Sequence, residues 1–72
     1  MDGAEIWERL MEMVEGGAFS GHEVPLPLLG NLLWPESDSN ELKFLNRILA
    51  QVLRQNGVRI VKKHGIRYAK FY

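Results

Sequence analysis

Apolar residues recur at helical spacing in three stretches of this chain and at strand-like spacing in its last. Over residues 3–15, Ile6, Trp7, Leu10, Met11 and Val14 form one stripe of a helix. Asp2, with Glu5 three residues later, has the make-up of a capping box, and Gly16-Gly17 stops the helix. Residues 18–24, "AFSGHEV", read as a loop anchored by Phe19, and a short strand near 22–25 is one way for it to end. "PLPLLGNLLW", residues 25–34, reads as a short helix. Pro27 suits its first turn, where a missing N–H costs nothing, and Leu28, Leu29, Leu32 and Leu33 are taken as the apolar face. Gly30 weakens such a helix, which suggests that another backbone comes close there. Pro35 ends the element.

"PESDSN" follows as a turn rich in capping residues, with Asp38 and Glu41 spaced for a second capping box. From Ser39 to Gln55 the period is again helical. Leu42, Leu45, Ile48, Leu49, Val52 and Leu53 share one face, and Asn56-Gly57 supplies a left-handed stop. Residues 58–63 and 66–72 read as strands joined at His64-Gly65. That turn pairs Lys63 with Ile66, Lys62 with Arg67, Ile60 with Ala69 and Val58 with Phe71. Val58, Ile60, Ala69 and Phe71 then share the face that lies on the helices, and Lys62 and Arg67 continue it towards the tip. Arg59, Lys63 and Lys70 lie on the opposite face beside Val61 and Tyr68. The expected fold is α+β: three helices followed by a C-terminal β-hairpin, in a single domain over 1–72.

Charge changes this picture more than composition does. The net charge is zero, but residues 1–38 carry one base and eight acids (1 − 8 = −7), and residues 39–72 carry eight bases and one acid (8 − 1 = +7). Mutual attraction of the halves is a weak reason for such segregation, because exposed ion pairs contribute about 0–1 kcal/mol each. A polyanionic partner is the stronger reading.

The cations fall on two elements. On helix 39–55, Lys43, Asn46, Arg47, Gln51 and Arg54 follow Asn40 on one broad polar face. Arg forks to guanine, Asn and Gln pair with adenine, and Lys suits phosphates. The hairpin carries Arg59, Lys62, Lys63, Arg67 and Lys70 and no acid, more positive charge than protection of a strand edge requires. Tyr68 and Tyr72 offer rings for base stacking, although packing is the commoner use of aromatics in a terminal strand. Trp7 and Trp34 are expected in the core, and His64 and His22 as turn and loop residues.

The succession "PLPLLGNLLW", "SNELKFLNRILAQVLRQ" and "VRIVKKHGIRYAKFY" resembles the helix pair and wing of a winged helix-turn-helix domain. The resemblance covers nearly the whole chain and rests on element order, lengths and charge placement. It implies that helix 39–55 enters the major groove, with Asn40, Lys43, Asn46 and Arg47 nearest the bases and Arg54 on the backbone. It implies that hairpin 58–72 touches phosphates. The connection between the two helices is longer than the three or four residues of the simplest helix-turn-helix. One branch, the LOTUS or OST-HTH domains, is similar in "VPLPLLGNLL", "KFLNRIL" and "RYAKF", which implies RNA or helicase partners.

The expected function is therefore nucleic-acid binding, to duplex DNA before RNA, as in transcription regulation. The alternative is a protein–protein interaction module, or an RNA-binding LOTUS-like domain. Leu26, Leu28, Leu29, Leu32, Leu33 and Trp34 make helix 25–34 apolar around much of its circumference, enough for a homodimer or a larger assembly. Catalysis finds no support: there is no nucleophile elbow, Gly-rich phosphate loop or metal-spaced His pair, so no catalytic residue, metal or cofactor is expected. The chain has no Cys and no apolar run of membrane-spanning length, and Met1-Asp2 does not begin a signal peptide. The expected location is cytoplasmic or nuclear.

Overall fold

A computed structural model describes residues 2–17 and 23–71. In chain order it contains α1 (Gly3–Glu15), β1 (Glu23–Pro25), α2 (Leu26–Leu33), α3 (Ser39–Gln55), β2 (Arg59–Lys63) and β3 (Ile66–Lys70). The fold is thus α+β, three helices followed by an antiparallel hairpin, with a short extra strand at Glu23–Pro25, where the sequence allowed one. The readings of Phe19, His22 and Tyr72 lie outside the described residues.

Local chemistry accounts for the helix boundaries. Asp38 Oδ1 accepts the Glu41 N–H at 2.9 Å, and Glu41 Oε1 accepts the Asp38 N–H at 3.3 Å, so the box that opens α3 is complete. At α1 only half of the arrangement forms: Asp2 Oδ1 accepts the Glu5 N–H at 2.9 Å. After α3 the chain reverses through Gly57 at φ +80°, and the Val58 N–H donates to the Leu53 carbonyl at 2.9 Å.

The sheet order is β1-β3-β2, with both pairings antiparallel. The hairpin register is the expected one from Arg59 to Ile66: Arg59 opposite Lys70, Ile60 opposite Ala69, Val61 opposite Tyr68, Lys62 opposite Arg67, Lys63 opposite Ile66; the strands are shorter than expected, and the ladder does not extend to the expected pairing of Val58 with Phe71. His64 (φ 53°) and Gly65 (φ 79°) form the two-residue left-handed turn between them. Pairing with β1 occupies the second edge of β3, with Glu23 opposite Lys70, Val24 opposite Ala69 and Pro25 opposite Tyr68.

The core gathers Ile6 and Leu10 from α1, Leu26, Leu29 and Leu33 from α2, Leu49, Ala50, Val52 and Leu53 from α3, and Val24, Val58 and Ala69 from the sheet side. Trp7 and Trp34 pack against it half-buried, as core residues. The apolar face of α2 differs from the expected one. Leu26, Leu29, Gly30 and Leu33 are buried, whereas Leu28 and Leu32 are each 46% exposed. An eight-residue helix with leucine on most sides does not declare its inward face. Here the close approach of α3 at Gly30 decides it, and what comes close is a side chain, that of Asn46, rather than a backbone.

Candidate nucleic-acid interface

Burial of Leu49, Ala50, Val52 and Leu53 turns the opposite side of α3 outward. Asn40, Lys43, Arg47, Gln51 and Arg54 are all exposed there, and none makes a side-chain hydrogen bond or ion pair among the described residues. Arg54, in the last turn, also complements the helix dipole, a structural use that requires no ligand.

Asn46 does not join that outward set. Its side chain is partly buried against Gly30, and its Oδ1 is shielded from solvent with no hydrogen-bond partner. The helical offset that groups Asn46 with Lys43 and Arg47 in the sequence also brings it round to the edge of the α2 contact. It faces a cleft, not open solvent.

The hairpin divides its cations between two faces. Ala69 is buried and paired with Ile60, so Lys62 and Arg67, two residues further along each strand, extend the helix-facing side past the core. There they line a cleft of about 260 Å³ with Leu26 and Pro27 of α2, Asn46 of α3, and Gly65 and Ile66 of the turn and β3. Neither Lys62 nor Arg67 has an ion-pair partner among the described residues.

Arg59, Lys63 and Lys70 lie on the outer face with Val61 and Tyr68. Two of these three cations are engaged. Lys63 Nζ donates to Glu23 at 2.8 and 3.0 Å, and Lys70 Nζ lies 3.7 Å from the same carboxylate. The Lys63 hydrogen bond holds the Glu23 carboxyl below its ordinary pKa, and the nearby charges of Lys63 and Lys70 add to the effect against partial desolvation. Arg59 lines a separate hollow with Gly57, Lys70 and Phe71.

The expected cations thus form two groups, not one continuous surface. Lys62 and Arg67 meet α3 across the cleft, while Arg59, Lys63 and Lys70 face the other way around a single acid. The carboxylates of α1 neutralise neither group. Glu5, Glu8, Glu12 and Glu15 are exposed, and among the described residues the only ion pairs within 4.0 Å are those of Glu23.

Phe44 was not among the sequence candidates. It is 64% exposed on α3, one turn from Asn40 on one side and from Arg47 on the other. Its place on the helical wheel, off the stripe of Leu42, Leu45 and Leu49, is the signal that would have found it. Among the described residues no three His, Cys, Asp or Glu side chains gather as metal ligands, and no helix is long and apolar enough to cross a membrane. Comparison with protein-family models, with curated proteins and with solved structures finds no match.

Proposed function

We propose that this chain is a winged-helix domain that binds nucleic acid, duplex DNA in the first instance, through α3 and the inner side of its hairpin. The observation that carries this reading is the junction of Lys62 and Arg67 with Asn46 across one acid-free cleft. It continues a helix face on which Asn40, Lys43, Arg47, Gln51 and Arg54 are all unengaged. Unpaired cations release counterions on meeting phosphates, whereas cations already on a carboxylate gain less. The working contact set is therefore Asn40, Lys43, Arg47, Gln51 and Arg54 on the helix, with Lys62 and Arg67 on the wing. Arg59, Lys63 and Lys70 are peripheral. A single module of this kind covers roughly 600–1,000 Å² of protein surface, so useful specificity calls for a second copy or a larger assembly.

The test is fluorescence anisotropy with a duplex DNA and a duplex RNA of the same sequence, at two salt concentrations. Binding in the micromolar range that weakens steeply with salt, and is stronger for DNA, is the expected result. Undetectable binding to both at low salt defeats the proposal.

One observation favours a second reading, a protein-interaction module. Leu32 lies with Leu33, Arg9, Glu12 and Met13 around a shallow groove of about 390 Å³, and Leu28, one turn away, is equally exposed. Concentration-dependent self-association that Leu28→Ser with Leu32→Ser abolishes, without any nucleic-acid binding, selects that reading.

A further inference from the structure

We infer that the outer face of the sheet is a second nucleic-acid site, a platform on which one unpaired base stacks on Tyr68 while the flanking phosphates meet Arg59, Lys70 and Lys63. This site is separate from the duplex-binding face of α3 and does not require it. Alternation out from the core places the platform. Val24, Ala69 and Ile60 form the row that lies on the helices, with Val24 and Ala69 buried. The next row, Pro25, Tyr68 and Val61, therefore points away from them. Tyr68 stands on the central strand, with Pro25 and Val61 as its cross-strand neighbours, and all three side chains are half-buried. The Tyr68 hydroxyl has no hydrogen-bond partner among the described residues. An aromatic ring at the centre of a sheet face, with the core on the opposite side, offers a surface for stacking.

Cations frame the ring on both sides along the strands. Arg59 and Lys70 stand directly opposite each other, a like-charge pair that costs the hairpin stability. With Gly57 and Phe71 they line a hollow of about 300 Å³ that contains no Asp or Glu. Their row lies two residues, roughly 7 Å, from Tyr68. On the other side of Tyr68 stands Lys63. Glu23 shows what this arrangement holds. Its carboxylate lies 2.8 Å from Lys63 Nζ and 3.7 Å from Lys70 Nζ, an internal anion lodged between the cations of the two rows. Lys63 and Glu23 stand on the flanking strands, one row to either side of Tyr68, so the bond that joins them crosses the face that the ring occupies. One carboxylate among three cations leaves two positive charges unmatched (3 − 1 = 2). The bond is exposed and adds little stability, so a phosphate can replace the carboxylate. Cations alone would take any polyanion, and the ring between them selects the ligand. Inside a duplex the base faces are stacked on one another, whereas an unpaired base presents a free face beside its phosphates.

Two labelled single strands test this by anisotropy at low salt: a short oligothymidine, and an abasic oligomer of the same length and charge. The unmodified protein is expected to bind the oligothymidine about ten-fold tighter, the scale of one base stacked on an aromatic ring. That ratio should fall to about one in Tyr68→Thr, a residue that suits a strand and whose fold is checked by circular dichroism. It should survive in Tyr68→Phe, which keeps the ring. Lys43→Gln with Arg47→Gln should weaken binding of a blunt duplex and leave the ratio unchanged. Equal binding of the two single strands by the unmodified protein overturns the inference. So does a ratio that persists in Tyr68→Thr, or one that is lost with Lys43 and Arg47. Failure to bind the oligothymidine at all overturns it too, whatever the duplex does, whereas failure to bind the duplex alone overturns only the reading of α3.

Discussion

The side-chain oxygen of Asn46 on α3 lies inside van der Waals contact of the place a β-carbon of Gly30 on α2 would take. Glycine is what lets this edge of the helix crossing close around a polar side chain. Ala has the better helix propensity, by about 1 kcal/mol, so in an unconstrained helix Gly30→Ala would stabilise. Here the added methyl forces the Asn46 side chain to turn away, which offsets that gain, so Gly30→Ala is expected to be neutral or destabilising by up to about 1 kcal/mol. The double-mutant cycle identifies the cause. In an Asn46→Ala background the oxygen is gone, and Gly30→Ala should become neutral or stabilising by up to about 1 kcal/mol. Urea denaturation of the four proteins measures it; equal effects of Gly30→Ala in both backgrounds would contradict the steric account.

That contact also shows where sequence patterning stops. The boundaries of α1, α3 and the hairpin were legible because capping residues, helical period and a two-residue turn are local signals. The face of α2 was not. Leu28 and Leu32 are as apolar as Leu29 and Leu33, and the choice between the pairs is made by the packing of another element, at Asn46, thirteen or more positions further on. Asn46 was misassigned to the outward face for the same reason: its wheel position borders Lys43 on one side and Leu49 on the other, and only the packing of α2 decides which neighbour it joins.

Lys62 and Arg67 should dominate the hairpin's contribution to binding. Charge reversal of both is expected to weaken binding by about a hundred-fold or more and to reduce the salt slope by roughly two, one per lost phosphate contact. Lys63→Gln with Lys70→Gln should cost only about two- to three-fold, because Glu23 already screens those cations. A larger loss from the second pair would move the interface to the outer face of the sheet. The register made the two faces legible in the sequence, but the pairing with Glu23 was not, because it depends on β1 joining the far edge of β3.

Glu23 gives the fold a pH signature of definite sign. Its carboxyl is held below the ordinary 4.5 by the lysines, so the ionised form is favoured in the folded state. The stabilisation is present above the unfolded-state pKa and is lost as pH falls through the lowered native value. The difference in Tm between the unmodified protein and Glu23→Gln should be constant near neutrality and shrink on acidification below about pH 4.5. A difference that grows in acid contradicts the assignment. The same variant releases Lys63 and Lys70, so its affinity for DNA should rise about two- to five-fold, with a steeper salt dependence.

The hairpin tip holds His64 at φ 53°, a region that β-branched side chains avoid. His64→Val is expected to destabilise by about 1–2 kcal/mol, while His64→Asn should be neutral or slightly stabilising, since Asn tolerates this conformation well. Thermal unfolding of the two variants separates this backbone effect from any loss of the imidazole, which would penalise both equally.

Phe44 discriminates between the two functional readings. At 64% exposure it contributes little packing, so Phe44→Ser should change stability by no more than about 0.5 kcal/mol. If α3 lies in the major groove, Phe44 has Asn40 and Arg47 as neighbours within one helical turn, and an apolar ring there meets the 5-methyl group of thymine. Replacing thymine by deoxyuridine in a bound site should then weaken the unmodified protein several-fold, up to about the ten-fold that 1.4 kcal/mol represents, and leave Phe44→Ser unaffected. If Phe44→Ser leaves DNA affinity intact but dissolves a self-associated species, the ring belongs to a protein interface and α3 is not a recognition helix. Anisotropy on the matched thymine and deoxyuridine duplexes, beside sedimentation of the free protein, distinguishes these outcomes.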